Sequence, residues 1–204
     1  RFKAENYYSE KDWESLVQLY REHETSLIKP DSKSFEAKQE QLKFHYRFAR
    51  ALLNVDCLPE ATDRLNMVLD INSAHLPSLK LLGQIRVSCS EWAKARDIYQ
   101  HILSLIVGQM DAELMYEVYV QLGTCALYES QLSLAKSYFQ KAVPLQPESV
   151  TALRGLAEVC YEKGEHKMAS KFCSDIITRA KSKTDVIHGY TLRGYIFDWV
   201  TQKN

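Results

Sequence analysis

The stretch Tyr116–Ser149, YEVYVQLGTCALYESQLSLAKSYFQKAVPLQPES, decides the fold. Tyr119, Leu122-Gly123 and Ala126 stand at helical spacing, and after a short polar turn Ala135, Phe139 and Ala142 repeat that spacing before Pro147. The same order recurs along the chain. Thirty-four residues on, it reads Leu153, Leu156-Ala157, Cys160, then Ala169, Cys173 and Ile176. Forty residues back, it reads Leu79, Leu82-Gly83, then Ala95, Tyr99 and Ile102, and a further 34 back His45, Phe48-Ala49, Leu52, then Ala61, Leu65 and Val68. A unit of two short amphipathic helices cannot bury its apolar face alone, but stacked neighbours bury a continuous core.

These residues resemble the tetratricopeptide repeat, whose pattern is W-x2-L-G-x2-Y, then A-x3-F-x2-A, then P. The resemblance implies an all-α fold: a right-handed superhelix of about five helical hairpins plus a terminal helix. It divides one array over 1–204 into a degenerate N-terminal hairpin and loop (1–41), repeats at 42–75, 76–115, 116–149 and 150–183, and a terminal or capping helix (184–204). The matches are uneven: Ala126 stands where the second aromatic belongs, Arg86 replaces that tyrosine in another unit, and Lys181 replaces the proline in the last. Upstream, Trp13, Leu16 and Tyr20 match the second helix of an earlier unit, and downstream Tyr190, Gly194 and Phe197 match the first helix of a later one.

Local signals sharpen this frame. Asp56, Ser90, Ser130 and Gly164 read as the breakers between paired helices. Gly123 with Ala135, and Gly83 with Ala95, read as points where paired backbones approach closely, with Phe139, Tyr99 and Leu65 filling the space beside them. Six extra residues, Met110 to Met115, predict an extended helix from Trp92 to Val107 that ends in a turn at Gly108. Lys29 to Ser34 reads as a loop between a helix ending near Ile28 and a long helix starting near Ser34.

Composition narrows the function classes. There are 26 basic and 26 acidic side chains, and each half of the chain is separately balanced, so no basic nucleic-acid face is expected. The longest apolar run, Ile102 to Val107 with Ser104 inside it, is far short of the roughly 20 residues needed to cross a bilayer, so no membrane insertion is expected. The five cysteines are scattered without a C-x-x-C pair, which favours free thiols in a reducing compartment over a disulfide frame or a zinc site. Cytoplasm is the expected location, with nucleus or bacterial export as alternatives. The chain opens at Arg1 without a methionine and reads as a piece of something longer.

Signatures of catalysis are missing: there is no G-x-G, G-x-S-x-G, P-loop or H-E-x-x-H, and the six histidines never fall within four residues of one another. No enzyme activity, cofactor or metal is expected, and the histidines read as surface or loop residues. Cys160 and Cys173 read as small hydrophobes facing each other in one hairpin. Trp13 and Trp92 read as structural aromatics opening second helices. The terminal helix, with Tyr195, Ile196, Trp199 and Val200, is apolar on more than one side and is expected to be covered by further chain or, as second choice, by a partner.

By the resemblance, function belongs to the concave groove lined by first helices. Its candidate partner-binding residues are Lys43, Tyr46, Arg47, Arg50, Lys80, Gln84, Gln121 and Arg154, with Glu117, Val120, Thr124, Glu158 and Tyr161 alongside. The early units give a basic stripe suited to carboxylates, and the later ones turn mixed to acidic. The expected partner is a protein or peptide, acidic or carboxylate-bearing. The carboxylate clamp of the chaperone-binding members is broken here: Lys80 matches its first lysine, but Gln84 and Gln121 stand for its asparagines, and Thr151 and Gly155 for its second lysine and arginine. A segment that stacks against other subunits of an assembly is the alternative reading.

Overall fold

The computed structural model describes Ala4, Tyr7 and residues 9–27, 34–108 and 111–202, with only the backbone of 23, 25–27 and 198–202. The described residues contain no strand. A first compact unit, Arg1–Cys89, holds α1 (Trp13–Leu27), α2 (Phe35–Asn54), α3 (Leu58–Ile71) and α4 (Leu76–Ser88). A second, Ser90–Asn204, holds α5 (Trp92–Ile106), α6 (Ala112–Tyr128), α7 (Leu132–Ala142), α8 (Val150–Glu162), α9 (His166–Arg179) and α10 (Lys183–Gln202). All but Ser34 of the loop expected at Lys29 to Ser34 lies outside the described residues, as do Met110 and the side chain of Trp199.

Local chemistry sets the helix ends. Ser34 caps α2 by accepting from the Ala37 amide at 3.2 Å, and Asp111 caps α6 by accepting from the Leu114 amide at 3.0 Å. Pro59 and Pro77 sit in the first turns of α3 and α4, where a missing amide proton costs nothing. The four expected breakers all lie in left-handed backbone: Asp56 (φ 59°), Ser90 (58°), Ser130 (59°) and Gly164 (73°). At Ser130 the turn closes with Gln131 N donating to Ala126 O at 2.8 Å and Ser130 N to Leu127 O at 2.9 Å, and Gly164 shows the same pair of bonds to Cys160 and Tyr161. This double closure satisfies the carbonyls left over at the end of a helix. The insertion falls mainly on α6, which has 17 residues against 13 in α4 and α8, while α5 has 15 against 14 in α3 and α9. Gly108, at φ 94°, makes the turn after α5.

In the first unit the core joins Leu16, Val17 and Tyr20 of α1 to Phe48, Ala51 and Leu52 of α2 and Ala61 of α3. Tyr20 meets Phe44 and Phe48 with ring centroids 5.1 and 5.3 Å apart, and Trp13 packs against the same cluster. Arg64 lays its guanidinium 4.5 Å above the Phe48 ring and pairs with Glu24 and Glu60. His45 contradicts the surface expectation: it is buried on the large-residue position of its repeat, because α2 turns that face onto the core.

In the second unit Phe139 of α7 is the central knob. It is 2% exposed and packs with Tyr116, Val120 and Ala126 of α6 and Ala152, Leu156 and Val159 of α8. A β-carbon on Gly123 would lie 2.8 Å from Phe139 Cε1, and one on Gly155 would fall still deeper into the same ring. This agrees with the expected filling of the space beside Gly123 and Ala135 by Phe139, whose ring lies directly over the glycine. Gly155 likewise is a buried packing residue rather than a groove position. The next cluster joins Leu153, Ala157 and Cys160 of α8, Ala169, Cys173 and Ile176 of α9, and Leu192 and Ile196 of α10. Cys160 and Cys173 are free thiols there, and burial pushes both above the ordinary thiol range. Trp92 is half-buried and stacks on Tyr128 at 4.2 Å.

Two expected outcomes test this packing. Gly155→Ala should destabilise the second unit by about 1–3 kcal/mol, since the ring it would strike is buried on both sides. Adding Phe139→Leu should cost less in that background than in the wild type, a coupling read by double-mutant melting. Ser130→Gly should stabilise by about 0.5–1 kcal/mol, because relief of left-handed strain outweighs the added unfolded-state entropy. A melting midpoint that falls would contradict that assignment of the turn.

Candidate functional site

The basic residues expected to bind a partner lie on α2 of the first unit. Lys43, Arg47 and Arg50 are all exposed there, and spacings of three and four residues set them on one helical face. Tyr46 is half-buried beside them, its ring edge-on to His75 with centroids 5.2 Å apart. That contact ties α2 to the start of α4, since His75 is the N-cap residue of α4. His75 Nδ1 in turn bonds to Ser78 Oγ at 2.8 Å, and Ser78 has no exposed surface. One turn further along α4 come Lys80, half-buried, and Gln84, exposed. The structure thus brings Tyr46 to the head of the helix that carries Lys80 and Gln84.

Gln121 and Arg154 belong to the second unit and are half-buried on α6 and α8. Val120 corrects the groove list, because it is 8% exposed and contributes to the core around Phe139. Its carbonyl accepts from Thr124 Oγ1 at 2.9 Å. Glu158 takes a 3.1 Å bond from His188 Nε2, and Tyr161 sits edge-on to His166. A hollow of about 300 Å³ is lined by Leu127, Tyr128, Ser130, Leu132, Glu158 and Glu162, an acidic recess in keeping with the acidic trend of the later repeats.

His75 is the site residue that sequence reasoning missed. Its signal was available: a histidine immediately before the Leu-Pro that opens a helix stands at a cap position, but only folding brings Tyr46 to it. Burial holds the His75 imidazole below the ordinary histidine range. His45, one residue before Tyr46, is also lowered, first by burial and then by the Arg64 guanidinium, against an opposing pull from Glu24. Its buried Nδ1 has no hydrogen-bond partner among the described residues. No group of three or more His, Cys, Asp or Glu among the described residues could hold a metal ion.

Both histidines take up protons less readily folded than unfolded. Their contribution to stability is present above the ordinary value of about 6.5 and is lost as pH falls below it. The melting midpoint should therefore drop between about pH 7.5 and 5.5. In His45→Gln/His75→Gln the drop should be smaller, whatever that variant's stability at neutral pH; an equal drop would assign the effect elsewhere.

No family model and no curated protein matches the chain. Solved structures do. MamA from Desulfovibrio magneticus RS-1 superposes with a TM-score of 0.62 at 20% identity, over 82% of this chain and 96% of that one. YrrB, described as a TPR protein with an unusual peptide-binding site, gives 0.62 at 20% identity over 85% of each chain. The apo form of RapI gives 0.81 at 14% identity over 96% of this chain, which spans 57% of RapI. With ten helices among the described residues, the recurrent hairpin core and these structural likenesses together, the chain is an all-α protein with the tetratricopeptide-repeat solenoid fold.

Proposed function

We propose that this chain is a non-enzymatic protein-interaction scaffold that holds an acidic or carboxylate-bearing peptide or helix against the α2 and α4 face of its first unit. The observation that carries the reading is the row Lys43, Arg47 and Arg50, exposed on one face of α2, with Tyr46 fixed beside it by His75. Guanidinium groups offer paired donors to a carboxylate, and a half-buried tyrosine adds apolar contact at small entropic cost. Lys80 and Gln84 extend the face along α4. The peptide-binding description of YrrB, which has the same fold, agrees with this class of function.

No helix among the described residues is long and apolar enough to cross a membrane. Five free cysteines accord with a reducing compartment such as the cytoplasm. The balanced charge of each half gives no continuous field for a nucleic-acid backbone. A second reading, a segment that docks within a larger assembly, is favoured by one observation: the apolar surface left exposed on α10.

A fluorescein-labelled glutamate-rich peptide with a free C-terminal carboxylate serves as the probe. Arg47→Glu/Arg50→Glu should weaken its binding at least tenfold, about 1.4 kcal/mol. The difference should shrink in high salt, because exposed charges are screened beyond about 10 Å at 0.1 M. The fold should survive, since both residues are exposed. Binding unchanged by the double reversal would remove the basic face from the function.

A further inference from the structure

The hollow of about 300 Å³ on the second unit is lined by Leu127 and Tyr128 at the end of α6, Ser130 and Leu132 around the turn into α7, and Glu158 and Glu162 of α8. Its volume is that of the smallest ligand sites, room for one side chain rather than a cofactor. The Tyr128 ring lies flat on Trp92, with centroids 4.2 Å apart and planes 7° apart. That stack steadies the ring and covers one of its faces, yet Tyr128 is still 62% exposed. Glu158 is held by the 3.1 Å bond from His188 Nε2, whereas the exposed Glu162 carboxylate has no ion pair among the described residues. The lining includes no lysine, arginine or histidine.

Two like charges four residues apart on one helix repel, so α8 carries Glu158 and Glu162 at a cost unless a cation comes between them. The chain itself shows which cation suits such a set. In the first unit the Arg64 guanidinium lies 4.5 Å over the Phe48 ring and pairs with the carboxylates of Glu24 and Glu60. An aromatic face and two carboxylates therefore take an arginine there. The recess assembles the same three parts from Tyr128, Glu158 and Glu162, and its own lining supplies no cation to them.

We infer that this recess binds the arginine side chain of a partner peptide. The guanidinium lies against the open face of Tyr128 and donates to Glu158 and Glu162, while Leu127 and Leu132 pack on the aliphatic stem. This goes beyond the basic face of α2, which belongs to the other unit, and does not depend on it. Arginine fits better than lysine, because a planar guanidinium stacks on a ring and still reaches two carboxylates, whereas an ammonium is a single point of charge. A peptide fits better than the free amino acid, because the lining has no positive group for an α-carboxylate and two negative ones that repel it.

The probe is a blocked pentapeptide, acetyl-Gly-Leu-Arg-Leu-Gly-amide, titrated into isotope-labelled protein and followed by two-dimensional NMR. Saturable shifts are expected at the backbone amides of Tyr128, Ser130, Glu158 and Glu162. Glu162→Gln should weaken binding about tenfold, the scale of one charge-assisted hydrogen bond. The melting midpoint should stay put, because that carboxylate is exposed. Tyr128→Leu keeps every charge and should weaken binding as well, which separates stacking from plain attraction of opposite charges. Citrulline in place of the probe's arginine should abolish the shifts, and lysine should bind at least about threefold more weakly. Arg47→Glu/Arg50→Glu should leave the titration unchanged, so that failure here and failure of the basic face are read separately. Shifts scattered over the surface acids and indifferent to Glu162→Gln would overturn the inference. So would equal binding of the lysine peptide, or free L-arginine binding as tightly as the peptide.

Discussion

The Phe139 ring, held between a glycine of its own hairpin and a glycine of the next, is the contact on which the second unit depends. Helices approach closely only where one of them lacks a side chain, and the vacated space must be filled, because a void forfeits dispersion contacts on every side. Gly123 and Gly155 provide the space and Phe139 fills it from α7. One residue therefore links α6, α7 and α8, and the pairing within a hairpin cannot be altered without disturbing the stacking between hairpins. The hairpin of α8 and α9 solves the same problem with smaller parts: Ala157 against Cys173, with Ile176 alongside.

The first unit uses a different filling. Tyr20, Phe44 and Phe48 form a ring cluster between α1 and α2, and Arg64 of α3 closes it with a guanidinium over Phe48. The Arg64 side chain is 12% exposed, so its charge is stabilised by Glu24 and Glu60 in a place where water does little. Charged contacts recur in the second unit at Arg96 with Glu129 (2.6 Å) and Lys136 with Glu165 (2.5 Å), each joining a second helix to a later hairpin turn. The Lys136 pair holds the half-buried Glu165 below the ordinary carboxylate range. The apolar core supplies the main adhesion, while these pairs favour one register of stacking over its neighbours.

Two surfaces follow from this construction, and they differ in physical character. The α2 and α4 face is polar and cationic, a character that under the proposed function would select a partner by charge and steer its approach. The side of α10 that carries Ile187, Tyr190 and Phe197 is apolar and offers burial rather than charge.

The helical period, the four turn residues at 56, 90, 130 and 164, the helix from Trp92 to the turn at Gly108 and the exposed basic row on α2 were all legible in the amino-acid sequence. Each depends on spacing within a single helix or turn: side-chain period fixes which residues share a face, and turn chemistry fixes where a helix stops. The sequence could not say what each face would meet. Val120 looked like a groove position by its place in the repeat, yet α6 is rotated so that it enters the core. Phe139 was legible as the filler beside Gly123, but not that the same ring would occupy the space at Gly155 of the next hairpin. The contact of Tyr46 with His75 and the hold of Glu24 on Arg64 40 residues away came only from the tertiary structure. A repeat pattern specifies angles about each helix axis, whereas distances between helices are set by how side chains from different hairpins fill shared volume.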